Sequence, residues 1–189
     1  MTVKTDISRF HIHDELTAPE KSTPIIKLAQ AGAGGSVSKF VGVLAESPSA
    51  LRAYTLMRHE LRSGVLPQQT RERIALAVSE HRGDPYSVEQ HERVARSTDL
   101  GIDEVDAARQ FRSSDPKEQA LLSFIEALVK TDGRPKEYLA EEAREAGWTD
   151  EELLEAVAHV ALSEFQSLVS NAAALPSDQS APVSLATAA

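Results

Sequence analysis

Apolar positions recur every three or four residues along most of the chain, and strict alternation is scarce, so the pattern predicts helices rather than strands. Ile25 to Ala31 is a short apolar helix candidate, followed by Gly32-Ala33-Gly34-Gly35, which reads as a hinge. Phe40, Val41 and Leu44 then fall at helical spacing. Ser47-Pro48 is an N-cap with proline at the first helical position, and Leu51, Tyr54, Met57 and Leu61 form one face up to Gly64. Leu66-Pro67 opens the next helix, with Ile74, Ala77 and Val78 inward and Gly83 as its stop. Asp84-Pro85 starts another, whose buried side is expected to include Val88, His91, Val94 and Ala95.

A short helix is expected from Asp103 to Phe111. Asp115-Pro116-Lys117-Glu118 caps a helix that packs through Leu121, Phe124, Ile125, Leu128 and Val129. Another runs from Pro135 to Ala146, stopped by Gly147. Thr149-Asp150-Glu151-Glu152 is a capping box for a long last helix carrying Leu153, Val157, Val160, Ala161, Phe165, Leu168 and Ala172. The fold class read from this pattern is all-α, with short loops and mostly antiparallel neighbours.

Composition narrows the picture. The chain has 189 residues, 20 Lys+Arg against 29 Asp+Glu, a net charge of −9 and no cysteine. The length suits a single domain. Residues 1–17 read as an N-terminal arm, residues 18–175 as the helical domain and residues 176–189, rich in Ser, Ala and Pro, as a flexible tail. The acidic balance argues against a nucleic-acid partner. No apolar run approaches the roughly 18 residues that span a bilayer, and the N-terminus lacks the apolar stretch of a secretory signal. The expectation is therefore a cytoplasmic protein with no membrane partner. The low aromatic content, 5%, beside many alanines points to a core completed by association, so a homo-oligomer is expected.

The chemistry concentrates in Leu66 to Ala95, LPQQTRERIALAVSEHRGDPYSVEQHERVA. This segment resembles the carboxymuconolactone decarboxylase / alkylhydroperoxidase D (AhpD)-like family, whose core pattern is a helix of the type LxxREREIxxLAVS, a Gly-Cys-x-x-Cys turn and a His four residues after the second Cys. Three flanking segments agree with it in order: Ala18 to Glu20 (APE), VLAESPSALRAY from Val43 to Tyr54, and WTDEELLEAVAHVAL from Trp148 to Leu162. The resemblance spans about residues 18–175 and implies an AhpD-like helical fold.

Where that pattern has its two cysteines, this chain has Asp84 and Ser87. The resemblance implies that Glu72 and His91 stand at the positions of the proton relay that serves the thiol in redox-active members. Thiol peroxidase and disulfide chemistry are excluded by residue identity.

Helical spacing adds that Asp84, Ser87 and His91, at intervals of three and four, can share one side of the helix after Pro85. Glu72 sits on the preceding helix, which turns back at Gly83, so the hairpin can bring Glu72 and His91 together as a pair. Each residue also has a plainer reading. Asp84 before Pro85 is a good N-cap, Ser87 a small residue near a helix start, His91 a core histidine, and Glu72 one member of the solvated run Arg71-Glu72-Arg73. His159, inside the apolar run Ala156 to Leu162, either hydrogen-bonds in the core or faces a pocket. The family's Asn-containing pattern on this helix is replaced by Ser163-Glu164-Phe165-Gln166-Ser167.

The six histidines form no HExxH, and His11-x-His13 falls in a segment read as mobile, so neither metal nor cofactor is assigned. Two functions follow as alternatives. One is a cofactor-independent, non-redox lyase or isomerase that moves a proton on a small carbonyl, lactone or keto-acid substrate. It would use His91, Glu72 and Asp84 as catalytic groups and Ser87, Tyr86 and His159 to bind the substrate. The other is an inactive oligomeric binding or accessory protein.

Overall fold

Local signals start and stop most of the helices at the expected places. The computed structural model describes residues 8–32 and 37–176, with only the backbone at residues 30–32. Of the hinge expected at Gly32 to Gly35, Gly32 ends α1 and the rest lies outside the described residues, as do residues 1–7 of the expected arm and the expected tail beyond Pro176. Among these, nine helices and no strand occur. They are α1 (Thr23–Gly32), α2 (Lys39–Leu44), α3 (Pro48–Arg62), α4 (Gln68–His81), α5 (Pro85–Ser97), α6 (Ile102–Ala108), α7 (Pro116–Lys130), α8 (Glu137–Glu145) and α9 (Asp150–Ala173).

Ser47 caps α3 and Asp115 caps α7, each with proline in the first turn. The capping box of α9 is complete, with Thr149 and Glu152 satisfying each other's backbone N–H. At Gly83 φ is +60°, a left-handed value that glycine adopts without a Cβ clash, and this lets the α4–α5 hairpin turn tightly.

Helix α4 is the central element. It packs against α5, α6, α7 and α9, and it is buried almost all round from Arg73 to Ser79. One apolar cluster joins Ile74 and Val78 to Leu121, Ile125, Trp148 and Val160. A second joins Phe40, Leu51, Tyr54 and Leu162 across α2, α3 and α9. Fully burying a side chain such as Ile74 or Leu121, both 0% exposed, contributes about 1.5–3 kcal/mol.

Arg73 lies in this interior between two carboxylates, Glu104 at 3.0 Å and Glu118 at 3.7 Å. Glu118 does not join the cap of α7 through its side chain, but accepts from Thr70 Oγ1 at 2.6 Å. Burial pushes the Glu118 carboxyl upward against the pull of Thr70 and Arg73. Glu104 behaves oppositely: hydrogen bonds from Ser114, Ser113 and Arg73 outweigh burial and hold it at about 2.

Three sequence expectations change here. On α5, His91 is only half-buried and Val94 is exposed. On α9, Ala161, Leu168 and Ala172 face outward, while Ser163, Ser167 and Ser170 are buried instead. The inner face of this half-helix is set by small residues, which let it approach its neighbours closely. Finally, His11 and His13 belong to a packed segment. His13 N donates to Gly42 O at 3.1 Å, and its ring nitrogens meet Thr17 O at 2.9 Å and Glu46 Oε2 at 2.6 Å.

Candidate active site

The α4–α5 hairpin brings residues nineteen positions apart into contact. His91 Nδ1 donates to Glu72 Oε2 at 2.8 Å, and both side chains are largely shielded, at 19% and 13% exposure. That bond leaves the lone pair on Nε2, which has no other partner among the described residues. The pair lines an open cleft of about 460 Å³ between α2, α3, α4, α5 and α9, a volume suited to a small molecule.

Of the six residues singled out in the sequence, five line this cavity: Glu72, Tyr86, Ser87, His91 and His159. Asp84 does not. Its side chain is 1% exposed and caps α5, with Oδ1 accepting from Ser87 N at 3.1 Å. The plainer reading of Asp84 describes its geometry, and Oδ2 is buried without a partner. Tyr86 is anchored at the far wall, where its hydroxyl accepts from Phe40 N at 3.3 Å.

His159 is 8% exposed, and its Nε2 has no hydrogen-bond partner. Burial lowers the pKa of this imidazole; Glu155, whose Oε1 lies 3.8 Å from Nε2, opposes that shift without cancelling it. The ring is therefore neutral at neutral pH. Glu155 is itself committed to the loop before α4, accepting from Val65 N at 2.8 Å and Leu66 N at 2.9 Å. The carboxylate sits so close to Gly64 that a Cβ there would collide with it.

Sequence reasoning missed the cationic wall. Arg58, Arg62 and Arg71 all line the cavity, as does Tyr54, whose hydroxyl burial pushes toward the neutral form against the nearby Arg58 charge. Arg71 is partly engaged, its Nη1 donating to Leu61 O at 3.2 Å and Arg62 O at 2.7 Å at the end of α3. The available signal was Tyr54, Arg58 and Arg62 at steps of four, one stripe of α3 that continues an apolar face with cations. Among the described residues no group of three His, Asp or Glu side chains is arranged to hold a metal ion. No described helix is long and apolar enough to cross a membrane.

Residues 48–130 match the model of the Carboxymuconolactone decarboxylase family. No curated protein matches the chain. Among solved structures, one similar chain is described as the alkylhydroperoxidase AhpD core of an uncharacterized peroxidase-related protein from Ralstonia eutropha JMP134. It is 24% identical, with a TM-score of 0.80 over 93% of this chain and 94% of that one. A second peroxidase-related protein, from Silicibacter sp. TM1040, is 19% identical with a TM-score of 0.78 and the same coverage of both chains. The debrominase Bmp8 in complex with 2,3,4-tribromopyrrole is 18% identical, with a TM-score of 0.71 over 85% of this chain and 87% of that one. These likenesses establish an AhpD-like fold.

Proposed function

We propose that the chain, which matches the Carboxymuconolactone decarboxylase family model over residues 48–130, has an AhpD-like fold and holds no cysteine, is a non-redox enzyme of acid/base proton transfer. The substrate class is a small carbonyl, lactone or keto-acid metabolite, and the reaction a decarboxylation, isomerisation or elimination. One observation carries the reading: His91 is tied to Glu72 through Nδ1, while Nε2 stays available beside the cleft.

The chemistry follows from that tautomer. Glu72 orients the ring and stabilises the imidazolium that forms when Nε2 takes a proton from the carbon next to a carbonyl. The electron pair released moves onto the carbonyl oxygen, where Arg58, Arg62 and Arg71 favour the developing negative charge. The proton returns to the same or a neighbouring carbon. In a decarboxylation Nε2 first takes the proton of the substrate's carboxylic acid, the bond to CO₂ then breaks with its electron pair moving onto the neighbouring carbonyl oxygen, and the enolate carbon takes that proton back from the imidazolium. His159, neutral by burial, offers a hydrogen bond without competing as the base. Asp84 acts as a positioning residue, fixing the first turn of α5 and with it Ser87 and His91.

The debrominase Bmp8, similar in fold, is in complex with 2,3,4-tribromopyrrole, which supports a small cyclic or planar ligand here. Thiol chemistry does not transfer, since no cysteine is present. The competing reading, a non-catalytic accessory protein, draws on Asp84 being consumed as a cap.

The test is deuterium uptake from D₂O into a panel of keto acids and lactones, with wild type, His91→Ala and Glu72→Gln compared. Wild type is expected to label at least one compound, and His91→Ala to label it about 10²–10⁴-fold more slowly. No protein-dependent label, or equal labelling by all three, overturns the proposal in favour of the accessory reading.

A further inference from the structure

A second cavity of about 460 Å³ adjoins the first on the outer side of α3. The two share Val41, Tyr54, Arg58 and Arg62, so these residues of α2 and α3 stand where the cavities meet, with Arg58 and Arg62 exposed to solvent. This outer chamber opens to solvent and is lined by Ile25, Leu28 and Ala29 of α1 opposite Thr55, His59 and Ser63 of the α3 side. Leu28 is 70% exposed at this wall, an apolar side chain with little else to cover it.

The charge pattern is equally specific. Arg73, Arg82, Arg109 and Arg112 each pair with a glutamate. In a chain of net charge −9, Arg58 and Arg62 have no acidic partner among the described residues, although they lie one helical turn apart and face the same space. Two adjacent unpaired guanidiniums suit a planar carboxylate, which they can grip with parallel hydrogen bonds.

We propose that the two chambers form one bipartite site for an amphiphilic carboxylate. Its carboxylate rests on Arg58 and Arg62, and its apolar arm fills the outer chamber against Ile25, Leu28 and Ala29. The inner chamber takes the end of the molecule that carries the reacting carbonyl. That last assignment rests on the proton-transfer reading of Glu72 and His91, whereas the outer chamber and the arginine wall do not depend on it.

The probes are acetate, butanoate, octanoate and octanol, titrated calorimetrically into the full-length protein. Affinity is expected to rise about fourfold per methylene from acetate until the chamber is filled, and octanoate to bind more tightly than octanol. Ala29→Trp, which fills the chamber, and Leu28→Asn, which makes its wall polar without adding charge, are each expected to weaken octanoate by about tenfold or more and leave acetate unchanged. Arg58→Gln with Arg62→Gln is expected to erase the preference for octanoate over octanol. Affinity that does not depend on chain length, or octanoate binding untouched by both α1 variants, overturns the outer chamber. Equal binding of octanoate and octanol overturns the arginine wall. If D₂O labelling fails while the chain-length dependence persists, the catalytic reading falls and the chamber stands.

Discussion

Two histidine–glutamate pairs sit in different regions of this molecule and differ in what is left over. At the junction of residues 8–17 with α2, His13 meets Glu46 at 2.6 Å through Nε2 and Thr17 O at 2.9 Å through Nδ1, so neither nitrogen is spare. In the α4–α5 hairpin, His91 uses only Nδ1, at 2.8 Å from Glu72. The acidic partners differ as well: Glu46 is 66% exposed and Glu72 13%. The first pair is a strap that fastens an extended segment. The second has one nitrogen free beside a cavity, in surroundings where a carboxylate–imidazole pair interacts strongly. Proximity of Glu and His is thus not the signal of function; the unused nitrogen is.

The contrast breaks if the two histidines behave alike on substitution. The largest expected effect is on rate: His91→Ala slows deuterium exchange by about 10²–10⁴-fold, while His13→Ala leaves it unchanged in the same assay. Next comes Arg73→Ala, another fully partnered group, which strands Glu104 and Glu118 in the interior. It is expected to destabilise the fold by about 3–5 kcal/mol in chemical denaturation. His13→Ala is expected to cost about 1–3 kcal/mol by the same measurement, with its loss confined to the packing of residues 8–17. Thr149→Ala, which removes one side of the α9 capping box, is expected to cost about 1 kcal/mol.

A pH titration of stability sharpens the same distinction. Glu104 is held at about 2 in the fold, against 4.5 for an ordinary glutamate. Its contribution is complete above 4.5 and is lost as pH falls through that interval toward 2, because the unfolded chain binds the proton first. His159, lowered by burial, adds a loss of stability as pH falls below its ordinary 6.5. Denaturation midpoints measured between pH 8 and 3 are expected to fall in two stages, and Glu104→Gln to flatten the lower one.

Much of this architecture was legible because its signals are local. The caps Ser47, Asp84, Asp115 and Thr149 and the turn glycine Gly83 act within a few residues of themselves. The Glu72–His91 contact was legible because a tight hairpin converts sequence spacing into height. What failed was long-range. The inner face of α9 is chosen by close packing, which puts Ser163, Ser167 and Ser170 inside and Leu168 outside; a count of apolar residues selects the opposite. Arg58 and Arg62 drew no reading at all, since only the placement of α9 and α1 brings their stripe to the place where two cavities meet.

The central claim concerns the hydrogen on one imidazole, and it can be read without knowing the substrate. In ¹⁵N-edited NMR spectra of histidine-labelled protein, recorded where the ring is neutral, the account predicts His91 as a single tautomer with hydrogen on Nδ1 and a bare Nε2, a preference lost in Glu72→Gln. A ring protonated at Nε2 alone, or a tautomer indifferent to Glu72→Gln, would contradict it.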